Sequence, residues 1–238
     1  MSLMALIFDV DGTLAETEEA HRKAFNDTFA HAGVGWHWSR EDYRWLLRTT
    51  GGKERIRRYL VESGSACPGD DAIALLHRRK TVRYAEIVAG GELSLRPGVR
   101  ELVAQARLAG LSLAVATTTN RPNVDTLCEL LWGCPAGNVF DVIAAGDEVV
   151  AKKPAPDVYE LALARLGMEP GDAVAFEDSR NGLLSARKAG LRTVVTPSSY
   201  TQGEDFSGAD WFLPDLRSES LPKELRMTLA HAALPSAE

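Results

Sequence analysis

Leu3-Met4-Ala5-Leu6-Ile7-Phe8-Asp9-Val10-Asp11-Gly12-Thr13-Leu14 is the stretch that decides the fold. Leu3 to Val10 is a near-continuous apolar run, the pattern of a parallel strand buried on both faces. Asp9 and Asp11, two positions apart, leave that strand on the same side. Two acids side by side at a buried strand end are unfavourable unless a cation or a proton compensates them. Mg²⁺ would supply that compensation, and Gly12 lets the chain turn away sharply. The same residues also suit a strand that simply ends in an Asx-type turn.

Working outward, Leu111 to Thr117 and Ala173 to Glu177 read as further buried strands. Val139 to Ala145 and Thr193 to Thr196 are weaker strands, and Trp211 to Leu213 a last edge strand. Helical periodicity fills the intervals: Val99 to Ala109 stops at Gly110, Asp157 to Leu166 at Gly167, and Asn181 to Ala189 at Gly190. Strand–helix alternation of this kind predicts an α/β, doubly wound (Rossmann-like) parallel sheet with helices on both faces. Ala15 to Leu95 breaks the alternation. Helical patterns run over Glu18 to Ala32, Arg40 to Arg48, Lys53 to Ser63 and Asp70 to Val88, with no strand between them. The expected organisation is a core built from residues 1–14 and 96–238, with an all-helical cap, 15–95, inserted over its C-terminal edge. The tail from Ala232 reads as frayed.

Three more clusters fall at strand ends, the edge where open α/β sheets bind ligands. In Ala116-Thr117-Thr118-Thr119-Asn120 a hydroxyl next to a helix start can donate to a phosphate oxygen, or merely cap the helix. Lys153, in Lys152-Lys153-Pro154-Ala155-Pro156-Asp157, can bridge a carboxylate and a phosphate, or belong to a solvated basic loop. Glu177-Asp178 suits a hard, oxygen-ligated cation, or a helix N-terminus that favours negative charge.

Composition narrows the partners. The chain has 238 residues, 45% hydrophobic and 25% charged, with a formal net charge of −6. That is an ordinary globular composition. The acidic balance argues against nucleic acid as a partner, because such binding needs a positive surface. No apolar run approaches the roughly 20 residues that cross a bilayer, so no membrane is expected. Cys67, Cys128 and Cys134 are odd in number and form no CxxC pair, which predicts reduced thiols and a cytoplasmic protein. Met1 to Asp11 has no basic n-region and does not read as a signal peptide; Met1-Ser2-Leu3 ahead of Met4 reads as an expression remnant.

The order Asp-x-Asp, Thr, Lys-Pro and Glu-Asp resembles the haloacid dehalogenase superfamily of phosphotransferases, over nearly the whole chain. The resemblance implies that Asp9 is a nucleophile forming an aspartyl-phosphate, and that Asp11 is general acid and then base. It implies that Thr117 and Lys153 bind the transferring phosphoryl group. It further implies Mg²⁺ as cofactor, held by Asp9, the Asp11 backbone carbonyl, Asp178 and Glu177. Asp11 is absent from dehalogenases of the superfamily and so favours phosphoryl transfer. Thr13 is placed to support the turn that holds Asp11.

In that superfamily the cap selects the substrate. Gly51-Gly52 precedes a helix start, and Lys53 and Arg55 follow at once; a helix N-terminus with adjacent cations is an anion site. The plainer reading is an exposed basic helix face. Thr17, Glu18 and His21, one to two turns past the hinge, are expected to face the cleft, with Lys80 a further candidate. Thr118 and Asn120 are counted with the substrate-binding residues, whereas Trp36, Trp38 and Trp45 are assigned to the cap's own core. The run Asp-Val-Asp-Gly-Thr-Leu-Ala-Glu-Thr-Glu, the stretch Thr-Thr-Gly-Gly-Lys-Glu-Arg and the stretch Lys-Lys-Pro-Ala-Pro-Asp-Val-Tyr together resemble the CbbY branch, kin of the β-phosphoglucomutases. This resemblance implies removal of the 1-phosphate of xylulose 1,5-bisphosphate, an inhibitor of Rubisco, or of a similar sugar bisphosphate. The alternatives are a β-phosphoglucomutase-type phosphomutase, or a phosphatase of another small phosphorylated metabolite. A monomer is expected, since the cap must swing.

Overall fold

The computed structural model describes residues 3–91 and 93–231. The frayed tail expected from Ala232, and Met1 and Ser2, lie outside them.

The chain opens with strand β1 (Ala5–Phe8) and then runs through four helices without a strand: α1 (Glu18–His31), α2 (Arg40–Leu46), α3 (Gly52–Ser63) and α4 (Asp70–Ala89). It returns through α5 (Val99–Leu108), β2 (Ser112–Ala116), α6 (Arg121–Trp132), α7 (Ala136–Val139), β3 (Val142–Ala144) and α8 (Asp157–Leu166). It finishes with β4 (Ala173–Glu177), α9 (Arg180–Lys188), β5 (Arg192–Val195), β6 (Trp211–Phe212) and α10 (Lys223–His231). All strand pairs are parallel, in the order β3-β2-β1-β4-β5-β6. Strand order reverses at β1, so the chain leaving Phe8 enters the crevice where doubly wound sheets bind ligands.

Strand alternation sorts the sheet into two unequal faces. Leu6, Phe8, Leu113, Val115, Val174 and Phe176 pack into a cluster with Leu102, Leu127 and Leu225 of α5, α6 and α10. Ala5, Ile7, Ala114, Ala116, Ala173 and Ala175 face Val158, Tyr159 and Ala186 of α8 and α9. The alanines bring α8 and α9 close to the sheet, which draws the N-terminus of each toward the ends of β1 and β4. The helical segment has a third cluster built on Phe25, Phe29, Trp38, Tyr43, Ile56 and Ile73. Trp38 is fully buried there, and Trp36 and Trp45 pack against it as expected.

Local signals explain the helix ends. Gly110, Gly167 and Gly190 all take positive φ (72°, 66° and 82°) immediately after or one residue beyond their helices. α6 and α10 are the long helices that periodicity did not define. The helix start expected after Thr117-Thr118-Thr119-Asn120 is that of α6, with Pro122 in its first turn, where its missing N–H does no harm. Among the described residues no helix is long and apolar enough to cross a membrane.

Candidate active site

Asp9 continues β1 by donating its N–H to the Phe176 carbonyl of β4 (3.0 Å). Its carboxylate thus emerges beside Glu177 and Asp178. Carboxylate oxygens of the three acids lie within 4.8 Å of one another, and all three residues are buried. Lys153, brought in by the loop before α8, donates to Asp9 Oδ1 and to Glu177 Oε1, at 2.6 Å each. The Tyr159 hydroxyl donates to the same Glu177 oxygen at 2.6 Å.

One lysine does not balance three buried acids. Burial, only partly offset by Lys153, pushes the Asp9 carboxyl up to about 8. Burial, then Asp9 and Glu177, hold Asp178 well above the usual carboxylate range. The Lys153 ammonium, although burial opposes it, is held protonated far above the ordinary lysine value by Asp9 and Glu177. Acids placed so close together favour a cation between them, and the donor set is all oxygen, as Mg²⁺ requires. The residues therefore fit a divalent ion. Glu177 Oε2 finds no hydrogen-bond partner and lies against Gly182 in the first turn of α9.

Asp11 faces elsewhere. Thr17 Oγ1 donates to Asp11 Oδ1 at 2.5 Å, and His21 Nε2 lies 3.0 Å from the same oxygen. Behind His21, Lys80 Nζ is 2.6 Å from Nδ1, and the His21 ring stacks on Tyr84. Burial pushes the Asp11 carboxyl up, but His21, Thr17 and Lys80 outweigh it and bring it down to about 2. Burial lowers Lys80 to about 7, and burial with Lys80 lowers His21. The Asp11 carboxylate is held by Thr17 and His21 and is not part of the three-acid group.

A cavity of about 870 Å³ opens onto these groups. Its wall includes Asp9, Asp11, Lys153 and Asp178, and also Glu18, His21, Lys80, Gly51, Gly52, Lys53, Arg55, Thr118 and Asn120. Lys53 is exposed there, while Arg55 donates to Tyr43 Oη (2.8 Å) and lies over the Tyr43 ring; Tyr43 in turn donates to Glu18 (2.9 Å). Three expected site residues lie behind the wall. Thr17 is fully buried and serves the cavity only through Asp11. Thr117 is 1% exposed, and its hydroxyl accepts the Thr119 N–H (3.2 Å); Asn120, not a threonine, caps α6. Glu177 is 1% exposed and reaches the site through Lys153 and its grouping with Asp9 and Asp178. Thr13 holds the turn by its backbone, donating its N–H to Val10 O (3.2 Å), while its buried hydroxyl has no partner.

Sequence reasoning did not find His77 or Tyr159. His77 lines the cavity against Gly52, and burial with Lys80 and Lys53 brings it down to about 3, so it is neutral. Its signal was its spacing of three from Lys80 on α4, one helix face. Tyr159 follows the Pro-Ala-Pro loop by one turn, and only the small-residue face of the sheet brings it to Glu177.

The haloacid dehalogenase-like hydrolase model matches residues 3–190. The chain belongs to the haloacid dehalogenase-like hydrolase family. It is an enzyme, a phosphatase of the haloacid dehalogenase type. Protein CbbY from Rhodobacter capsulatus is 62% identical over 91% of this chain and 95% of its own. CbbY from Rhodobacter sphaeroides, solved in complex with phosphate, superposes with a TM-score of 0.87 at 56% identity, covering 90% of this chain and 95% of that one. A mutant of that protein, solved in complex with xylulose-(1,5)bisphosphate, gives a TM-score of 0.85 at 56% identity with the same coverage.

Proposed function

We propose that this haloacid dehalogenase-like hydrolase is a Mg²⁺-dependent sugar-phosphate phosphatase that removes the 1-phosphate of xylulose 1,5-bisphosphate. The carrying observation is one cavity with Asp9, Lys153 and Asp178 on one wall and Lys53 and Arg55 on another. Two anion-handling groups on one cavity suit a substrate with two phosphates. Likeness to a protein crystallised with that bisphosphate supports the choice of sugar.

Asp9 attacks phosphorus through Oδ as the carboxylate, the form that Lys153 and a bound cation would favour against burial; the P–O bond to the alcohol breaks and an aspartyl-phosphate forms. Asp11 protonates the leaving oxygen and then takes a proton from the water that hydrolyses the intermediate. With its carboxyl near 2, Asp11 stands in the basic form; His21, and Lys80 behind it, are the neighbours able to supply its proton. Lys153 holds Asp9 in place and meets the transferring phosphoryl oxygens; Thr117, behind the wall, supports them through the Thr119 N–H that its hydroxyl accepts. Asp9, the Asp11 carbonyl, Asp178 and Glu177 would hold Mg²⁺, which when bound supplies positive charge against the phosphoryl oxygens. Residues 15–95 act as the cap over the core of 1–14 and 96–238. Its three free thiols support a cytoplasmic protein, and a cap that must swing supports a monomer.

The test is phosphate release from xylulose 1,5-bisphosphate with and without Mg²⁺. Turnover should vanish with a chelator, return with Mg²⁺, and be lost in Asp9→Asn while the melting temperature holds. Lys53→Ala should raise KM for the bisphosphate at least tenfold and leave a small aryl phosphate within twofold, since a charge-assisted bond contributes about 1.5–3 kcal/mol. Isomerisation of β-glucose 1-phosphate to the 6-phosphate, without net release from the pentulose bisphosphate, would instead make it a mutase.

A further inference from the structure

The segment 48–52, which joins α2 to the start of α3, lines the cavity with Arg48, Thr50, Gly51 and Gly52 and leads directly into Lys53 and Arg55. Two side chains from the sheet-bearing part of the chain grip it. Asn181, in the first turn of α9, donates from Nδ2 to the Arg48 carbonyl (3.0 Å) and to Thr50 Oγ1 (3.1 Å). From the other side, the stem of Lys152 lies against Gly51, whose φ is 95°: a Cβ there would come within 3.1 Å of Lys152 Cδ and collide with the Glu54 carboxylate. Lys152 is itself anchored by donating to the Gly146 carbonyl at 2.6 Å.

Asn181 is free for this because the local task is done by another residue. Ser179 caps α9, its hydroxyl accepting the Gly182 N–H at 3.2 Å. An asparagine in the first turn of a helix would ordinarily compete for such backbone groups; here its amide spans more than 130 residues of sequence to reach Arg48 and Thr50. It also stands three residues after Asp178, which lies on the short connection between β4 and α9.

We propose that Asn181 is a specificity-determining positioning residue. It clasps the segment 48–52 to the turn that carries Asp178, and so sets the distance between the phosphoryl-transfer end of the cavity and the cations Lys53 and Arg55. It touches no reacting atom and acts through Arg48, Thr50 and Gly51. The substrate effect rests on the reading of Lys53 and Arg55 as the second phosphate site; the clasp itself does not.

The experiment compares wild type, Asn181→Ala and the near-isosteric Asn181→Leu in two ways. Kinetics on xylulose 1,5-bisphosphate and on p-nitrophenyl phosphate with Mg²⁺ should show KM for the bisphosphate raised about fivefold to tenfold, the worth of one or two neutral hydrogen bonds. KM for the aryl phosphate should stay within twofold. Amide hydrogen exchange of 46–56 should quicken at least fivefold in both variants, with exchange of β4 unchanged. Equal losses on both substrates would reduce Asn181 to a general stabilising role and overturn the specificity claim. Unchanged exchange of 46–56 would overturn the clasp. Should wild type hydrolyse neither compound, the phosphatase reading fails, and exchange still decides the clasp without any turnover.

Discussion

Gly182 shows how much one missing methyl group can carry. It lies inside α9, where alanine would ordinarily add about 1 kcal/mol of stability. Yet a Cβ at this position would run into the Glu177 carboxylate, which is buried and shares an oxygen with Lys153 and Tyr159. Gly182→Ala should therefore destabilise, by about 1–3 kcal/mol, because overpacking outweighs helix propensity. Displacing Glu177 also moves Lys153, so kcat on an aryl phosphate should fall at least tenfold. A thermal melt and initial rates on the same preparation check both; a higher melting temperature would mean Glu177 is not locked in place. The motif Glu177-Asp178-Ser179-Arg180-Asn181-Gly182 was legible as chemistry, but the division of labour inside it was not. That Ser179 caps the helix, Asn181 reaches across the cavity and Gly182 makes room for Glu177 follows only from what stands opposite each.

At the scale of elements, short helices in the inserted segment depend on their ends. α2 is only Arg40–Leu46 and begins with a capping box: Ser39 Oγ accepts the Asp42 N–H (3.1 Å) while Asp42 accepts the Ser39 N–H (2.9 Å). The helix sets Tyr43, and Tyr43 Oη joins Arg55 to Glu18 on the cavity wall. Ser39→Ala should cost about 1 kcal/mol, lowering Tm by about 2–4 °C for a chain of this size. It should also weaken the bisphosphate more than the aryl phosphate, because the tyrosine, not the nucleophile, loses support. A melt combined with KM on both substrates tests this. Strands and most helices were legible because burial on two faces leaves an apolar run and glycine marks the ends. Of α6 only the start was legible, because no glycine-bounded apolar period is read beyond Asn120.

For the whole molecule, the telling feature is charge buried between separate parts of the chain. Lys80 comes from α4, His21 from α1 and Asp11 from the turn after β1, and they form one hydrogen-bonded line. Burial lowers Lys80 from 10.5 to about 7. Between those values the unfolded chain holds a proton that the folded one releases, so folding is penalised at neutral pH and relieved as pH rises. The slope reaches about 1.4 kcal/mol per pH unit. Lys80→Met lacks the penalty. It should melt above wild type near pH 7, and the gap should shrink toward pH 10; a constant difference across that range would show that Lys80 is not desolvated. The variant should also lose turnover, because Asp11 loses its proton source behind His21.

The sequence by itself determined the doubly wound sheet, the helical insertion after the first strand, and the meeting of Asp9, Lys153, Glu177 and Asp178. Those follow from local rules, since apolar runs must be buried and strand ends of a parallel sheet share one edge. Only the tertiary structure decided which candidates face the cavity. Thr17, Thr117 and Glu177 stand behind its wall, while His77 and Asn181 reach it. The physical reason is that a side chain's direction relative to a distant element depends on how helices lie on the sheet. That is set by packing volumes spread over the whole chain, such as the alanine face beneath α8 and α9, and not by any short stretch of residues.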